Sequence, residues 1–123
     1  MVLVDTSVWV AHFRQVHAGL VALLNDGEVA CHPFIVGELA CGNLKNRTTI
    51  LTLLEALPMA IAVEHQEAMA FIESHALMGK GLGYVDVHLL ASSILTELPI
   101  WTLDKKLARV ADMLHCRHQL QAR

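Results

Sequence analysis

Four carboxylates stand where this chain could do chemistry: Asp5, Glu38, Asp86 and Asp104. Asp5 closes Met1-Val2-Leu3-Val4-Asp5, an apolar run that reads as a short buried strand, with Thr6-Ser7 as a helix start behind it. Asp104 repeats that placement after Ile100-Trp101-Thr102-Leu103. Glu38 is the one charge between Glu28 and Lys45, and Asp86 falls near the first turn of the run Tyr84-Val85-Asp86-Val87-His88. Singly, each has a simple explanation. Asp5 and Asp104 suit helix N-caps, Asp86 suits the positive end of a helix dipole, and Glu38 suits a solvated helix face. Together they read differently. Carboxylates sharing one crevice raise one another's pKa, so a fold keeps such a cluster with cations. Hard oxygen donors with no Cys or His pair beside them select Mg²⁺ or Mn²⁺ over zinc. Such a centre suits phosphodiester hydrolysis.

The elements that must position these acids alternate. The pattern predicts strands over Val2–Val4, Glu28–Cys31, Ala60–Val63 and Ile100–Leu103. Helices are predicted over Ser7–Phe13, Gly19–Asn25, Phe34–Gly42, Thr48–Ala56, Glu64–Met78, Tyr84–Thr96 and Lys105–Met113. Gly79–Gly83 reads as a flexible loop, and from His115 on a short strand or loose tail is expected. Uninterrupted apolar strands between helices predict an α/β fold with a parallel sheet covered on both faces. In such sheets the first strand is often central, and ligands sit at the carboxyl ends. Asp5 then stands at the mouth of the site.

At 123 residues the chain reads as a single domain spanning 1–123. It is 54% hydrophobic and only 17% charged, which points to apolar surface buried against a partner or a second copy. No apolar run reaches the roughly 18 residues of a membrane span, and no signal peptide is read at the N-terminus. Three widely spaced cysteines without C-x-x-C argue against a disulfide framework and suit a cytoplasmic setting.

A net charge of −3 would ordinarily count against a nucleic-acid partner. Divalent cations held by the acids would change that sign, however, and the basic residues cluster in Lys105, Lys106, Arg109, Arg117 and Arg123. Basic side chains also flank each acid in sequence: Arg14, Lys45 and Arg47, Lys80, and Lys105, with Lys106 and Arg109 behind it, are the candidate contacts to a nucleic-acid backbone. His115-Cys116-Arg117-His118 reads as an incidental terminal segment rather than a metal site, and His88 as a packing or surface residue.

Val4-Asp5-Thr6-Ser7-Val8-Trp9, Val36-Gly37-Glu38-Leu39, Asp86-x-x-Leu89-Leu90-Ala91 and Thr102-x-Asp104-x-x-Leu107 occur in order over the whole chain. This set resembles the PIN-domain ribonucleases, specifically the VapC-type toxins of bacterial toxin–antitoxin pairs. The resemblance implies a PIN-like three-layer α/β/α fold with a central, mostly parallel sheet of four to five strands. It implies a Mg²⁺- or Mn²⁺-dependent endoribonuclease, with Asp5, Glu38, Asp86 and Asp104 as catalytic metal ligands and Thr6 or Ser7 supporting them. RNA as substrate, a cognate antitoxin that inserts near the acids, and a homodimer are implied as well. Leu107 stands where many members carry Phe.

Competing readings are a catalytically inactive PIN-like module that binds RNA or protein, and a haloacid-dehalogenase-like phosphatase. The phosphatase would need a second acid two residues after Asp5, where this chain has Ser7. A response-regulator receiver domain would need an Asp at the end of a middle strand, and Glu64 after Ala60–Val63 does not supply it.

Overall fold

A computed structural model describes residues 1–119. Val2–Val4 forms the first strand, β1, and Thr6–Arg14 the helix α1 behind it. Ala18–Asn25 (α2) runs to a turn at Gly27, whose φ of 67° needs a glycine. Val29–Ala30 (β2) leads into Pro33–Ala40 (α3), with the proline in the first turn, where no N–H is needed. Arg47–Glu55 (α4), His65–Ser74 (α5) and Tyr84–Thr96 (α6) follow, then Ile100–Trp101 (β3) and Lys105–Met113 (α7).

The sheet is parallel, in the order β2-β1-β3. Val2 and Leu3 pair with Val29 and Ala30 on one side, while Leu3 and Val4 pair with Ile100 and Trp101 on the other. Successive strand residues face opposite sides, and all three residues of β1 are buried. Helices therefore cover both faces of the central strand.

The expected fourth and fifth strands are reduced to one bridge on each edge. Cys31 bridges Met59, and Ile100 bridges Arg117, both in parallel. Ala60–Val63 is not a strand. Cys31 N–H donates to Pro58 O and Ala60 N–H to Cys31 O, but the next rung would need an N–H from position 33, which is a proline already in the first turn of α3. The expected short strand after His115 is the Arg117 bridge, and residues 120–123, Arg123 among them, lie outside the described residues. β3 stops at Trp101 because the next amides turn to side chains: Leu103 N–H donates to Ser7 Oγ and Asp104 N–H to Thr102 Oγ1.

α5 ends at Ser74, four residues short of the expected Met78. Ala76 takes a left-handed φ of 51°, Ala76 N–H donates to Glu73 O and Leu77 N–H to Ile72 O. That is a Schellman cap built without glycine, and it drops Leu77 into the core at 3% exposure.

Connectivity fixes where the site lies. In a parallel sheet the helices that follow strands start at the strands' carboxyl edge, so α1, α3 and α7 begin there. α6 leads back through a short turn into the start of β3, so its own N-terminus points to the same edge.

Candidate active site

The four acids sit at the starts or on the faces of these converging helices. Asp5 is 6% exposed and is the N-cap of α1. Its Oδ2 accepts from Ser7 Oγ at 2.7 Å, from Thr102 Oγ1 at 2.7 Å and from Ser7 N–H at 3.4 Å. Asp104 caps α7, its Oδ1 accepting Lys106 N–H at 2.9 Å and Leu107 N–H at 3.0 Å. Asp86 lies in the first turn of α6, and its Oδ2 accepts Gly83 N–H at 2.9 Å. Glu38, exposed on α3, accepts from Thr6 Oγ1 at 2.7 Å through Oε1.

The capping roles and the chemical roles are therefore compatible. Each carboxylate uses one oxygen to fix its own orientation. Asp5 Oδ1, Glu38 Oε2, Asp86 Oδ1 and Asp104 Oδ2 accept no hydrogen bond from the described residues.

Electrostatics ties the four together. Burial lifts the Asp86 carboxyl above the usual carboxylate range, and the Gly83 N–H partly offsets this. The charges of Asp5, Asp104 and Glu38 lift it further. Among the described residues no basic side chain forms an ion pair with any of them; the two ion pairs present are Met1–Glu28 and Arg117–Asp112. Nor do any three acidic, His or Cys side chains there already close around a single point. The four acids lie close enough for their charges to act on Asp86, and none is offset by an ion pair among the described residues. An all-oxygen donor set with one spare oxygen per carboxylate fits a hard divalent cation.

Three hydroxyls bond to the acids, those of Thr6, Ser7 and Thr102. Thr6 or Ser7 was expected to support the site, and both bond to an acid: Thr6 holds Glu38, and Ser7 holds Asp5. Thr102 was not expected as a site residue, although Thr102-x-Asp104 contained the signal. Its hydroxyl donates to Asp5 and accepts the Asp104 N–H at 3.0 Å. With the Ser7 and Thr102 protons both committed to Asp5, the two hydroxyl oxygens 3.2 Å apart are neighbours that share no hydrogen bond.

The basic candidates divide. Arg14 and Lys45 line a cavity of about 390 Å³ beside Glu38, together with Val10, Phe13, Leu44 and Ile50. Arg47 is engaged with Gly42 O at 3.2 Å. Lys80 and Lys105 are exposed. The Lys106 chain lies over Gly81, where a Cβ would come within 2.7 Å of Lys106 Cδ. It thus packs on the loop that delivers Asp86.

His88 is 2% exposed, packed between Phe34 and Tyr84. Cys116 and His118 pair through their backbone with Ile100, and no metal cluster forms there among the described residues.

A family model described as PIN domain matches residues 2–113. Ribonuclease VapC32 from Mycobacterium tuberculosis (strain CDC 1551 / Oshkosh) is 44% identical over 108 residues, 87% of either chain. Ribonuclease VapC32 from the strain ATCC 25618 / H37Rv matches with the same identity and coverage.

Proposed function

The chain belongs to the PIN-domain family as a VapC-type ribonuclease toxin, and from that premise we propose that it is an endoribonuclease working at Asp5, Glu38, Asp86 and Asp104. The observation that carries the assignment is the division of labour within each carboxylate, one oxygen held by the fold and one left for a ligand. Mg²⁺ or Mn²⁺, bound there, supplies an activated water and charge neutralisation at the phosphate.

The chain's own residues orient the reaction. Ser7 and Thr102 lock the Asp5 carboxylate, and Thr6 draws Glu38 toward the start of α1. Arg14 and Lys45 at the neighbouring cavity, with Lys80, Lys105 and Lys106, hold the RNA backbone. The same cavity, apolar with a basic rim, is where a segment of the cognate antitoxin covers the site. Exposed apolar side chains such as Leu53, Ile61 and Met69 supply the surface of a homodimer. Among the described residues no helix is long and apolar enough to cross a membrane.

The test is cleavage of a mixed cellular RNA pool with Mg²⁺, with Mn²⁺ and with chelator, read by end-sequencing. Discrete internal cuts that need metal are expected. Cuts that persist in chelator, or none with either metal, would sink the assignment.

A further inference from the structure

An aromatic series crosses the starts of three helices beside the acids. His65 opens α5, Tyr84 opens α6 with His88 one turn on, and Phe34 lies in the first turn of α3 with His32 as the N-cap. Successive ring centroids from His65 through Tyr84, His88 and Phe34 to His32 lie 5.6, 4.5, 4.8 and 5.2 Å apart. These are contact distances for aromatic rings, at tilted and edge-to-face angles.

The inner members are fixed. His32 is fully buried, its Nδ1 accepting Phe34 N–H at 2.9 Å and its Nε2 meeting Ser92 Oγ at 3.2 Å. The ring nitrogens of buried His88 have no partner among the described residues, so the ring serves as a spacer between Phe34 and Tyr84. The outer members face solvent, Tyr84 at 44% exposure and Phe34 at 37%. The Tyr84 hydroxyl is hydrogen-bonded to His65 Nδ1, which pins the exposed ring.

Both exposed rings flank the acids. Tyr84 follows Gly83, whose N–H holds Asp86. Phe34 lies one turn before Glu38 on the same stripe of α3. Lys80, in the loop leading to Tyr84, puts a cation close by in the chain. Every nucleobase has a π-face, and stacking on a rigid aromatic is how single strands are held without sequence readout.

We infer that Tyr84 and Phe34 form a stacking shelf for an unpaired nucleobase next to the phosphodiester bond cut at the acids. This rests on the ribonuclease reading above. His65 and His88 are positioning residues that stiffen the shelf. The shelf holds the strand in place and leaves the carboxylates to act on the phosphate.

The test uses short single-stranded RNAs carrying a fluorescent purine analogue at successive positions. The full chain binds them with Ca²⁺ in place of Mg²⁺. Wild-type protein is expected to quench the analogue at one preferred position. Tyr84→Ala and Phe34→Ala should each lose that quenching and weaken binding on the order of tenfold. Tyr84→Phe, which keeps the ring, should retain both. Thermal melts identify variants that fail to fold, and Tyr84→Phe against wild type keeps the comparison open if the alanine variants do.

Unchanged binding and quenching in folded alanine variants, or wild-type binding with no position-dependent quenching, would overturn the shelf. So would a Tyr84→Ala protein that sediments as a smaller species with RNA binding intact, since the rings would then serve a second copy of the chain. Cleavage with Mg²⁺ is assayed in parallel. Position-specific quenching without cleavage sustains the shelf and removes the nuclease reading, whereas cleavage without quenching removes the shelf alone.

Discussion

Thr102 donates its hydroxyl to Asp5 Oδ2 at 2.7 Å across 97 positions of sequence. Thr102 Oγ1 also accepts the Asp104 N–H, so one buried hydroxyl sets the distance between two of the four acids. Thr102→Val keeps the shape and removes the donor. A hydrogen bond to a charged group contributes about 1.5–3 kcal/mol, so unfolding free energy should fall by about that much in denaturant melts. Cleavage should fall as well, and Thr102→Ser should recover most of both.

Thr6 presents a different case, because Glu38 is exposed and its loss of a partner costs little folding energy. Thr6→Val should change stability by no more than about 0.5 kcal/mol. Metal affinity or turnover should drop roughly ten- to hundredfold, as for other residues that orient a metal-binding side chain. Calorimetry with Mn²⁺ and a thermal melt on the same sample separate the two effects.

Much of this arrangement was legible in the sequence. The strand-then-acid pattern located Asp5 and Asp104, and apolar flanks isolated Glu38 and Asp86. Helices α6 and α7 lie where periodicity and Pro99 put them. The misses share a physical cause, which is tertiary hydrogen bonding invisible to local pattern. Ala60–Val63 has strand-like residues, yet its neighbour β2 turns into α3 at Pro33, which has no N–H for the next rung. α5 stops at a left-handed Ala76 where no glycine marked the end. Thr102 gained its place from a contact with Asp5 that no spacing rule reports.

The buried His32 makes the protein acid-sensitive. Burial, with a smaller contribution from the neighbouring His88, lowers its pKa from the ordinary 6.5 to about 4. The native state thus binds fewer protons than the unfolded chain between those values. Stability is full above about pH 6.5 and is lost as pH falls toward 4, by an amount on the order of 3 kcal/mol. Protonating Nδ1 also sets a proton against the Phe34 N–H it accepts, which uncaps α3. Urea melts from pH 7 to 4 should show this slope, and His32→Asn should flatten it.

Asp86 works in the opposite sense. Its carboxyl is raised, so the native state holds that proton more tightly than the unfolded chain. The metal-free protein therefore loses stability as pH rises from the usual carboxylate range through the raised pKa. Asp86→Asn should melt higher than wild type at neutral pH without metal. Adding Mn²⁺ should raise the wild-type melting temperature and leave the variant nearly unmoved.

Lys106→Gln addresses the RNA grip. Removing one phosphate contact should weaken binding evenly across sequences and reduce the slope of log affinity against log salt by about 1. Gly81→Ala should act on the same loop, since φ is 79° there and the new methyl would meet the Lys106 chain.

The most direct measurement is single-turnover cleavage of one RNA substrate by wild type and by Asp5→Asn, Glu38→Gln, Asp86→Asn and Asp104→Asn. Each is run with Mg²⁺ and with chelator after a melt shows that it is folded. Metal-dependent cleavage by wild type is expected, with a loss of at least about a hundredfold in every variant if the four carboxylates act as one centre. Wild-type rates in any folded member of this set would contradict it.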